Sequence, residues 1–155
     1  SSVGMLHHAW EACEAHYGRR CVRSVLLQPT TPLRDPADVE RCVAAVVDGG
    51  HAAATTVSEV PGHFVYEKCL VSGDDGVLRF AAGENAVSNR QDAPRYLHRN
   101  GLCYVVRRET LLERGHIVEE DCVGVEVPGF IVNIDEPIEL ELAAFMLARA
   151  EENDS

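Results

Sequence analysis

Helical and extended patterns of apolar positions follow one another along the first third of the chain. Val3, Leu6 and Trp10 recur at helical spacing and predict a helix over residues 1–18. Residues 22–27 then end in a short apolar run, which predicts a buried strand.

The next segment couples a helix to a second strand. Asp35 as N-cap and Pro36 at the first helical position predict a helix over residues 35–48. Its buried stripe is predicted to consist of four valines, Val39, Val43, Val46 and Val47. Residues 52–57 are small and β-branched, so they predict another buried strand. This β-α-β order favours a parallel sheet with a right-handed crossover.

Residues 58–100 interrupt the alternation of strands and helices. Residues 64–71 and 77–81 predict the two strands of a hairpin around a Ser-Gly-Asp-Asp-Gly turn, whereas residues 83–93 are polar and have no period. An insertion of this length is usually a lid, a binding loop or an arm. We interpret it as both a substrate wall and an intersubunit arm, and the alternative is a merely decorated edge of the sheet.

The last third of the chain returns to the α/β pattern. Strands are predicted at residues 102–106, 122–127 and 130–132, a short helix at 108–114, and a closing helix at 136–152. The buried face of the closing helix is predicted from its spaced apolar residues, Ile138, Leu142, Phe145 and Met146. The chain therefore predicts one α/β domain over residues 1–155, whose sheet is covered by the helix at 35–48 and the closing helix.

Composition and motif content argue against several classes of protein. The 155 residues are 46% hydrophobic and carry a formal net charge of −11, which argues against a protein that binds the phosphate backbone of a nucleic acid polymer. No apolar run reaches the length that crosses a bilayer, and no secretory leader is recognisable. The six scattered cysteines form no CxxC pair and predict reduced, buried thiols in a cytoplasmic protein. No GxSxG, HExxH or Cys–His spacing indicates a hydrolase or a zinc enzyme.

The first candidate for chemistry is the Pro/Thr-rich loop that follows the strand at residues 22–27. In an open α/β sheet, ligands bind just beyond the carboxyl ends of the strands. Gln28 and Arg34 would therefore stand at a crevice, on a backbone that two prolines restrict. The alternative is a plain connection between a strand and a helix.

The second candidate is Asp135, which precedes the closing helix in the segment Asn-Ile-Asp-Glu-Pro. A carboxylate at this place is a natural ligand for Mg²⁺, which prefers oxygen and is usually held by one or two carboxylates plus substrate phosphates. The alternative is that Asp135 only caps the helix, which is a common role for aspartate.

Two stretches of sequence resemble a known family of enzymes. They are QPTTPLR at residues 28–34, and RQDAPRY followed by NGLCY between residues 90 and 104. In this order they are similar to the QPTSPLR and RQ…P…Y…NGAIY patterns of the N-acylneuraminate cytidylyltransferases, the CMP-sialic acid synthetase family. The resemblance runs from residue 1 to residue 147. It implies a Rossmann-like nucleotide-diphospho-sugar transferase fold, with a mostly parallel sheet and an inserted β-rich dimerisation arm at 58–100.

The resemblance also implies a reaction and a set of partners. Members of the family transfer CMP from CTP to a 2-keto-3-deoxy sugar acid, such as sialic acid, Kdo or a related nonulosonate, and release pyrophosphate. The implied cofactor is Mg²⁺, and the implied assembly is a homodimer. The implied catalytic residues are Asp135, Arg90 and Lys68. The implied substrate contacts are Gln28, Arg34, Lys68, Arg90, Gln91, Asn100 and Tyr104, and the implied metal ligands are Asp135 and Asn133.

Single residues allow less specific explanations. Lys68 could be a solvated strand residue, and Arg90 could belong to a loop ion pair that contributes little. The order of the motifs favours the functional interpretation, in which both cations hold the sugar carboxylate through charge-assisted hydrogen bonds.

The sequence departs from the family pattern in two places. The family usually has Asp-x-Asp where this chain has Asn133 and Asp135, so metal affinity is expected to be weaker. The xARxGSKxxxxKN loop, which cradles the triphosphate of CTP in the family, has no counterpart in the 155 residues. We therefore interpret the chain as the C-terminal part of a cytidylyltransferase, or as a family member that has lost its N-terminal part, and expect it to form no CMP-sugar by itself. The alternative is a non-catalytic remnant that binds a sugar acid or pairs with another subunit.

Overall fold

The computed structural model describes residues 2–83, 94–118 and 120–153, which fall into two compact units. The larger unit combines Ser1–Val57 with Arg99–Ser155, and the smaller unit is Ser58–His98. The described residues contain three α-helices, α1 (Ser2–Tyr17), α2 (Pro36–Val47) and α3 (Pro137–Asn153), and a π-helical turn at Glu109–Glu113 where a short helix was predicted. Six strands are present in the described residues: β1 (Arg23–Leu26), β2 (Ala53–Glu59), β3 (Leu70–Ser72), β4 (Leu78–Phe80), β5 (Leu97–Arg107) and β6 (Cys122–Glu126).

The main sheet is mixed. Its strand order is β1-β5-β2-β6, with β1 antiparallel to β5 and β2 parallel to β6. Leu26 lies opposite Tyr104 in the antiparallel pair, and Ala53 lies opposite Cys122 in the parallel pair. The α/β class predicted from the sequence is confirmed. The mostly parallel sheet is not, because β5 enters between β1 and β2 and pairs with β1 in the antiparallel direction.

Strand β1 differs from the prediction in its burial. The apolar run at the end of residues 22–27 predicted a buried strand, but Val25 is 43% exposed and Leu27 is exposed as well. The reason is its position, since β1 is an edge strand and β5 is its only neighbour among the described strands. Strand β2 lies inside the sheet, and its first five residues are all buried, as the sequence predicted.

Helix α2 begins and packs as its sequence dictates. The Asp35 carboxylate accepts a hydrogen bond from the Ala37 backbone N–H at 2.8 Å, so the predicted N-cap is confirmed. Val46 is fully buried, whereas Val47, which was predicted in the same stripe, is exposed. The buried cluster between α2 and the sheet consists of Cys42, Val46, Ala54, Cys103, Val105 and Val125, with Val39 and Val43 half-buried against it.

Helix α1 covers a second cluster of the larger unit through Leu6 and Trp10. Its polar anchor is Glu14, whose carboxylate accepts hydrogen bonds from the Trp10 indole at 3.2 Å and the Cys21 backbone N–H at 2.9 Å. The Arg108 guanidinium donates to the same carboxylate at 3.1 Å. This contact with Arg108 holds the pKa of Glu14 below its usual value.

Helix α3 occupies the predicted residues but does not bury the predicted face. Ile138 is 66% exposed, and Leu142 and Phe145 are exposed too, whereas Met146 is half-buried and Ala143 is buried. The covered side of the helix is therefore the side that carries a small residue. The strand predicted at 130–132 is absent, since those residues have no regular structure.

The smaller unit contains the predicted hairpin in a shortened form. Strands β3 and β4 pair in the antiparallel direction with Leu70 opposite Phe80, while Tyr66–Lys68 forms a 3₁₀ turn instead of strand. The described apolar side chains that stay exposed in this unit are Phe64, Tyr66, Leu70, Val71, Val77, Leu78, Phe80 and Leu97. Residues 84–93, which include Arg90 and Gln91, lie outside the described residues.

All six cysteines lie in the described part of the chain, and all are free. Cys42 and Cys103 are buried as predicted, but Cys13 and Cys69 are exposed. A hydrogen bond between the two buried thiols lowers the pKa of Cys103 and raises the pKa of Cys42.

Among the described helices, none is both long and apolar enough to cross a membrane.

Candidate functional site

Three segments that are far apart in sequence meet at Gly101, within strand β5. The backbone of Gly101 has a φ of +82°, a conformation that favours glycine. A Cβ atom at this position would lie 2.8 Å from Gln28 Oε1, 2.8 Å from Thr31 Oγ1 and 3.8 Å from Asn133 Oδ1. The missing side chain therefore leaves the space in which the loop after β1 and the segment before α3 come together.

The loop after β1 is fixed by its own backbone. The Thr31 N–H donates to the Gln28 carbonyl at 3.2 Å, and the Arg34 guanidinium donates to the same carbonyl. The Ile134 N–H donates to the Thr30 carbonyl at 2.7 Å, which joins this loop to the segment before α3. Arg34 keeps a buried Nε–H that has no hydrogen-bond partner among the described residues. An unpaired buried donor of this kind costs free energy in the folded state.

The segment around Gly101 contributes two more of the predicted residues. Asn100 is buried, and its side-chain oxygen accepts a hydrogen bond from the Leu102 N–H at 3.3 Å. Tyr104 is half-buried three residues after Gly101 and lies opposite Leu26 of β1. Asn100 thus supports the unusual backbone at Gly101.

Asn133 links the buried part of this region to an exposed carboxylate. Its side-chain oxygen accepts a hydrogen bond from the Thr31 hydroxyl at 3.2 Å, and its side-chain nitrogen donates to the Asp135 carboxylate. Asp135 itself is exposed. Both polar atoms of the Asn133 amide are therefore engaged within the protein.

Capping of α3 is carried by Glu139 and not by Asp135. The Glu139 carboxylate accepts hydrogen bonds from the backbone N–H groups of Asp135 and Glu136, both at 2.7 Å. Helix α3 begins at Pro137, so Glu136 occupies the N-cap position and Glu139 the third helical position. The Asp135 side chain consequently remains available to solvent and to ligands.

The donor atoms here suit a metal ion that arrives with a ligand. Within the described ranges, no group of three or more His, Cys, Asp and Glu side chains is arranged to hold a metal. A single exposed carboxylate, Asp135, fits Mg²⁺ only when phosphate oxygens supply further ligands, which is how Mg²⁺ is commonly bound. A resident metal ion does not fit this donor set.

The predicted site residues divide between the two units. Gln28, Arg34, Asn100, Tyr104, Asn133 and Asp135 all belong to the larger unit. Lys68 belongs to the smaller unit, where its ammonium group donates to the Gly62 carbonyl at 2.9 Å. The sequence analysis singled out neither Thr31 nor Glu139, although a glutamate three residues after an N-cap is a recognisable capping signal.

Comparison with known proteins adds one finding. No family model matches the chain, and no curated protein matches it. Among solved structures, the chain is similar to CMP:2-keto-3-deoxy-manno-octonic acid synthetase complexed with CTP, with a TM-score of 0.62 and 18% sequence identity. The match covers 97% of this chain and 69% of the synthetase chain. The two chains therefore share a fold, and the predicted likeness to cytidylyltransferases is confirmed at the level of the fold.

Proposed function

We propose that this chain carries the sugar-acid side and the metal-binding carboxylate of a cytidylyltransferase site. The reaction joins CTP to a 2-keto-3-deoxy sugar acid and yields the CMP-sugar and pyrophosphate. The observation that supports this proposal best is the meeting of three motif segments at Gly101, because two of them resemble the family patterns and the third carries Asp135. A structurally similar synthetase that is complexed with CTP adds support.

Each candidate residue has a role in this proposal. Asp135 supplies the protein carboxylate for Mg²⁺, and the Arg34 guanidinium contacts the substrate through a charge-assisted hydrogen bond. The sugar carboxylate is held by the cations Lys68 and Arg90 with Gln28. The remaining proposed substrate contacts are Gln91, Asn100 and Tyr104.

The chemical step is a displacement at the α-phosphorus of CTP. The anomeric hydroxyl of the sugar acid forms the new O–P bond and loses its proton to water, while the bond between the α-phosphorus and the oxygen of the β-phosphate breaks and pyrophosphate leaves. When bound, Mg²⁺ neutralises charge on the phosphates. The protein side chains hold and orient the two substrates, and such positioning accounts for much of the catalysis in phosphoryl transfer.

We propose further that the chain acts as a homodimer in which the arm at residues 58–100 reaches toward the partner. The hairpin of β3 and β4 has exposed apolar side chains, and an isolated two-stranded hairpin is only marginally stable in water. A second copy could cover this face, and sedimentation of Leu78→Arg should then shift toward the monomer.

The six free thiols support a reducing compartment, the cytoplasm, as the setting.

The experiment that tests the function measures binding first and turnover second. Purified chain is titrated with CTP, CMP, sialic acid and Kdo in the presence of Mg²⁺, and the unfolding temperature is recorded, since a ligand that binds only the folded state raises it. Asp135→Asn is compared with Asp48→Asn, which makes the same chemical change at an exposed position outside the site. We expect sugar acids to raise the unfolding temperature of the parent chain.

Pyrophosphate release is then assayed with the same sugar acids. We expect Mg²⁺-dependent release in the presence of a polypeptide that carries the Gly-, Arg- and Lys-rich loop. Asp135→Asn should lower that release by about 100-fold or more, and Asp48→Asn should not. Sugar-acid binding without release under any of these conditions would instead favour the non-catalytic binding module, and no binding of either substrate would overturn the proposal.

A further inference from the structure

Two consecutive hydrogen bonds connect the interior of the larger unit to the exposed Asp135. The Thr31 hydroxyl belongs to a side chain that is 0% exposed, and it donates to Asn133 Oδ1 at 3.2 Å. The Asn133 side-chain nitrogen in turn donates to the Asp135 carboxylate. A buried hydroxyl, an amide and a carboxylate are thus joined by two hydrogen bonds that run in one direction.

The direction of these two hydrogen bonds follows from the chemistry of the Asp135 carboxylate. An ionised carboxylate only accepts hydrogen bonds, so the Asn133 amide must turn its nitrogen toward Asp135. Its oxygen then points to Thr31, whose hydroxyl must act as the donor. Gly101 leaves the room that Thr31 needs, because a Cβ atom there would lie 2.8 Å from Thr31 Oγ1.

We propose that Thr31 is a positioning residue, which acts through Asn133 to fix the orientation of the Asp135 carboxylate. In this arrangement Asn133 is a bridge within the protein, and its oxygen is used by Thr31 instead of by a metal ion. The positioning role rests on the proposed function, in which Asp135 is the metal-binding carboxylate.

The bridge also explains why asparagine suits position 133. An aspartate at this position could accept from Thr31, but it could not donate to Asp135, and two carboxylates in contact would repel each other. An Asp-x-Asp segment at this place would supply two negative charges. The Asn-x-Asp segment of this chain supplies one negative charge, on a carboxylate whose orientation is fixed by a hydrogen bond.

The hydroxyl of Thr31 is separable from the docking of the two segments. The backbone bond from Ile134 N–H to the Thr30 carbonyl, at 2.7 Å, does not involve any side chain. Thr31→Val keeps the shape of the side chain and this backbone bond while it removes the hydroxyl. Thr31→Ser keeps the hydroxyl and loses only a methyl group, so it is the matched control.

The test is hydrogen exchange of the Asn133 side-chain amide, measured by NMR on the full chain. Exchange should be about fivefold faster in Thr31→Val than in the parent, the factor that corresponds to one hydrogen bond of about 1 kcal/mol, and Thr31→Ser should match the parent. Asp135→Ala should also accelerate exchange of the Asn133 side-chain amide. Because Asp135 is exposed, we expect this variant to fold even if Thr31→Val does not. Unchanged exchange in Thr31→Val, or equal acceleration in Thr31→Ser, would overturn the proposal.

A second readout separates this inference from the proposed function. Mn²⁺ with CTP is titrated into each protein, and line broadening is followed around residue 135. We expect weaker broadening in Thr31→Val than in Thr31→Ser. Absence of broadening in every protein would count against the proposed metal and nucleotide site, whereas the difference in amide exchange would still stand as the measure of the hydrogen-bond chain.

Discussion

The two units of the molecule differ in how they use apolar side chains. The larger unit buries two clusters, one against α2 and one against α1. In the described part of the smaller unit, only Val65 and Glu67 are buried, while the hairpin of β3 and β4 leaves leucines, valines and a phenylalanine exposed. Glu67 accepts a hydrogen bond from the Tyr96 hydroxyl at 2.5 Å, so even its interior depends on a polar contact.

Most of the predicted site residues lie in the unit that buries more apolar side chains. A site that must hold several oxygen atoms in fixed positions needs a scaffold with little freedom, and six of the predicted site residues lie in the larger unit. Exposed apolar side chains on a short hairpin are typical of a surface that another chain covers. The predictions that follow test this contrast between a packed unit and an exposed hairpin.

The largest effect is expected from truncation of a core leucine. Leu111 is fully buried against α1, so Leu111→Ala should lower the free energy of unfolding by about 2–5 kcal/mol. Leu78→Ala makes the same change on the exposed hairpin and should alter it by only about 0.5 kcal/mol in the monomer. Urea unfolding of both variants at low protein concentration measures the difference. Similar losses for the two leucines would mean that the hairpin is packed as tightly as the core.

A smaller effect is expected from two glycines with positive φ. Gly101→Ala and Gly76→Ala should each cost about 1–2 kcal/mol, because φ is +82° at the first and +73° at the second. Gly101→Ala should cost more, since its Cβ would also crowd Gln28 and Thr31, whereas nothing lies within 4 Å of a Cβ at Gly76.

Chemical denaturation of both glycine variants tests this order. Backbone strain acts alone at Gly76, so the excess at Gly101 measures the crowding where the three segments meet. Gly101→Ala should also accelerate exchange of the Asn133 side-chain amide, and Gly76→Ala should leave it unchanged. Equal costs at the two glycines would argue that the segments can move apart without penalty.

The smallest effect is expected from acid. Contact with Arg108 lowers the pKa of Glu14 from its usual 4.5, and contact with Arg79 lowers the pKa of Asp75 from its usual 3.8. A group whose pKa is lower in the folded state stabilises the folded protein at pH values above its unfolded-state pKa. This contribution disappears as the pH falls through the folded-state pKa. Stability should therefore decline below about pH 4.5, with both carboxylates contributing.

Glu14→Gln and Asp75→Asn separate the contributions of the two units. Each variant should flatten the acid dependence of the unfolding midpoint, measured from about pH 6 to about pH 3. The Glu14 and Arg108 side chains are each 22% exposed, whereas Asp75 and Arg79 are about half exposed. Salt at about 0.5 M should therefore weaken the contribution of Asp75 more than that of Glu14. The opposite order would contradict the view that the larger unit shields its ion pair better.

Local pattern determined much of the larger unit. The spacing of apolar residues located all three helices, and the Asp-Pro pair located the start of α2 to the residue. These features depend on backbone groups and side chains that are neighbours in sequence, so they can be read without knowing the rest of the fold. The same holds for the two family-like stretches, whose residues were recognised from order and spacing alone.

Tertiary structure decided which faces are covered and which side chains meet. Nothing within residues 22–27 indicates that β1 lies at an edge, because this depends on the entry of β5 from a segment about eighty residues later. Helix α3 likewise has a clear apolar face, yet the elements packed against it cover Ala143. The chain from Thr31 through Asn133 to Asp135 joins residues about one hundred positions apart in sequence, and it exists only because Gly101 lacks a side chain at the point where they cross. Spacing along the chain could nominate Gln28, Asn133 and Asp135, but the hydrogen bonds that orient them depend on distances in space, which the fold alone sets.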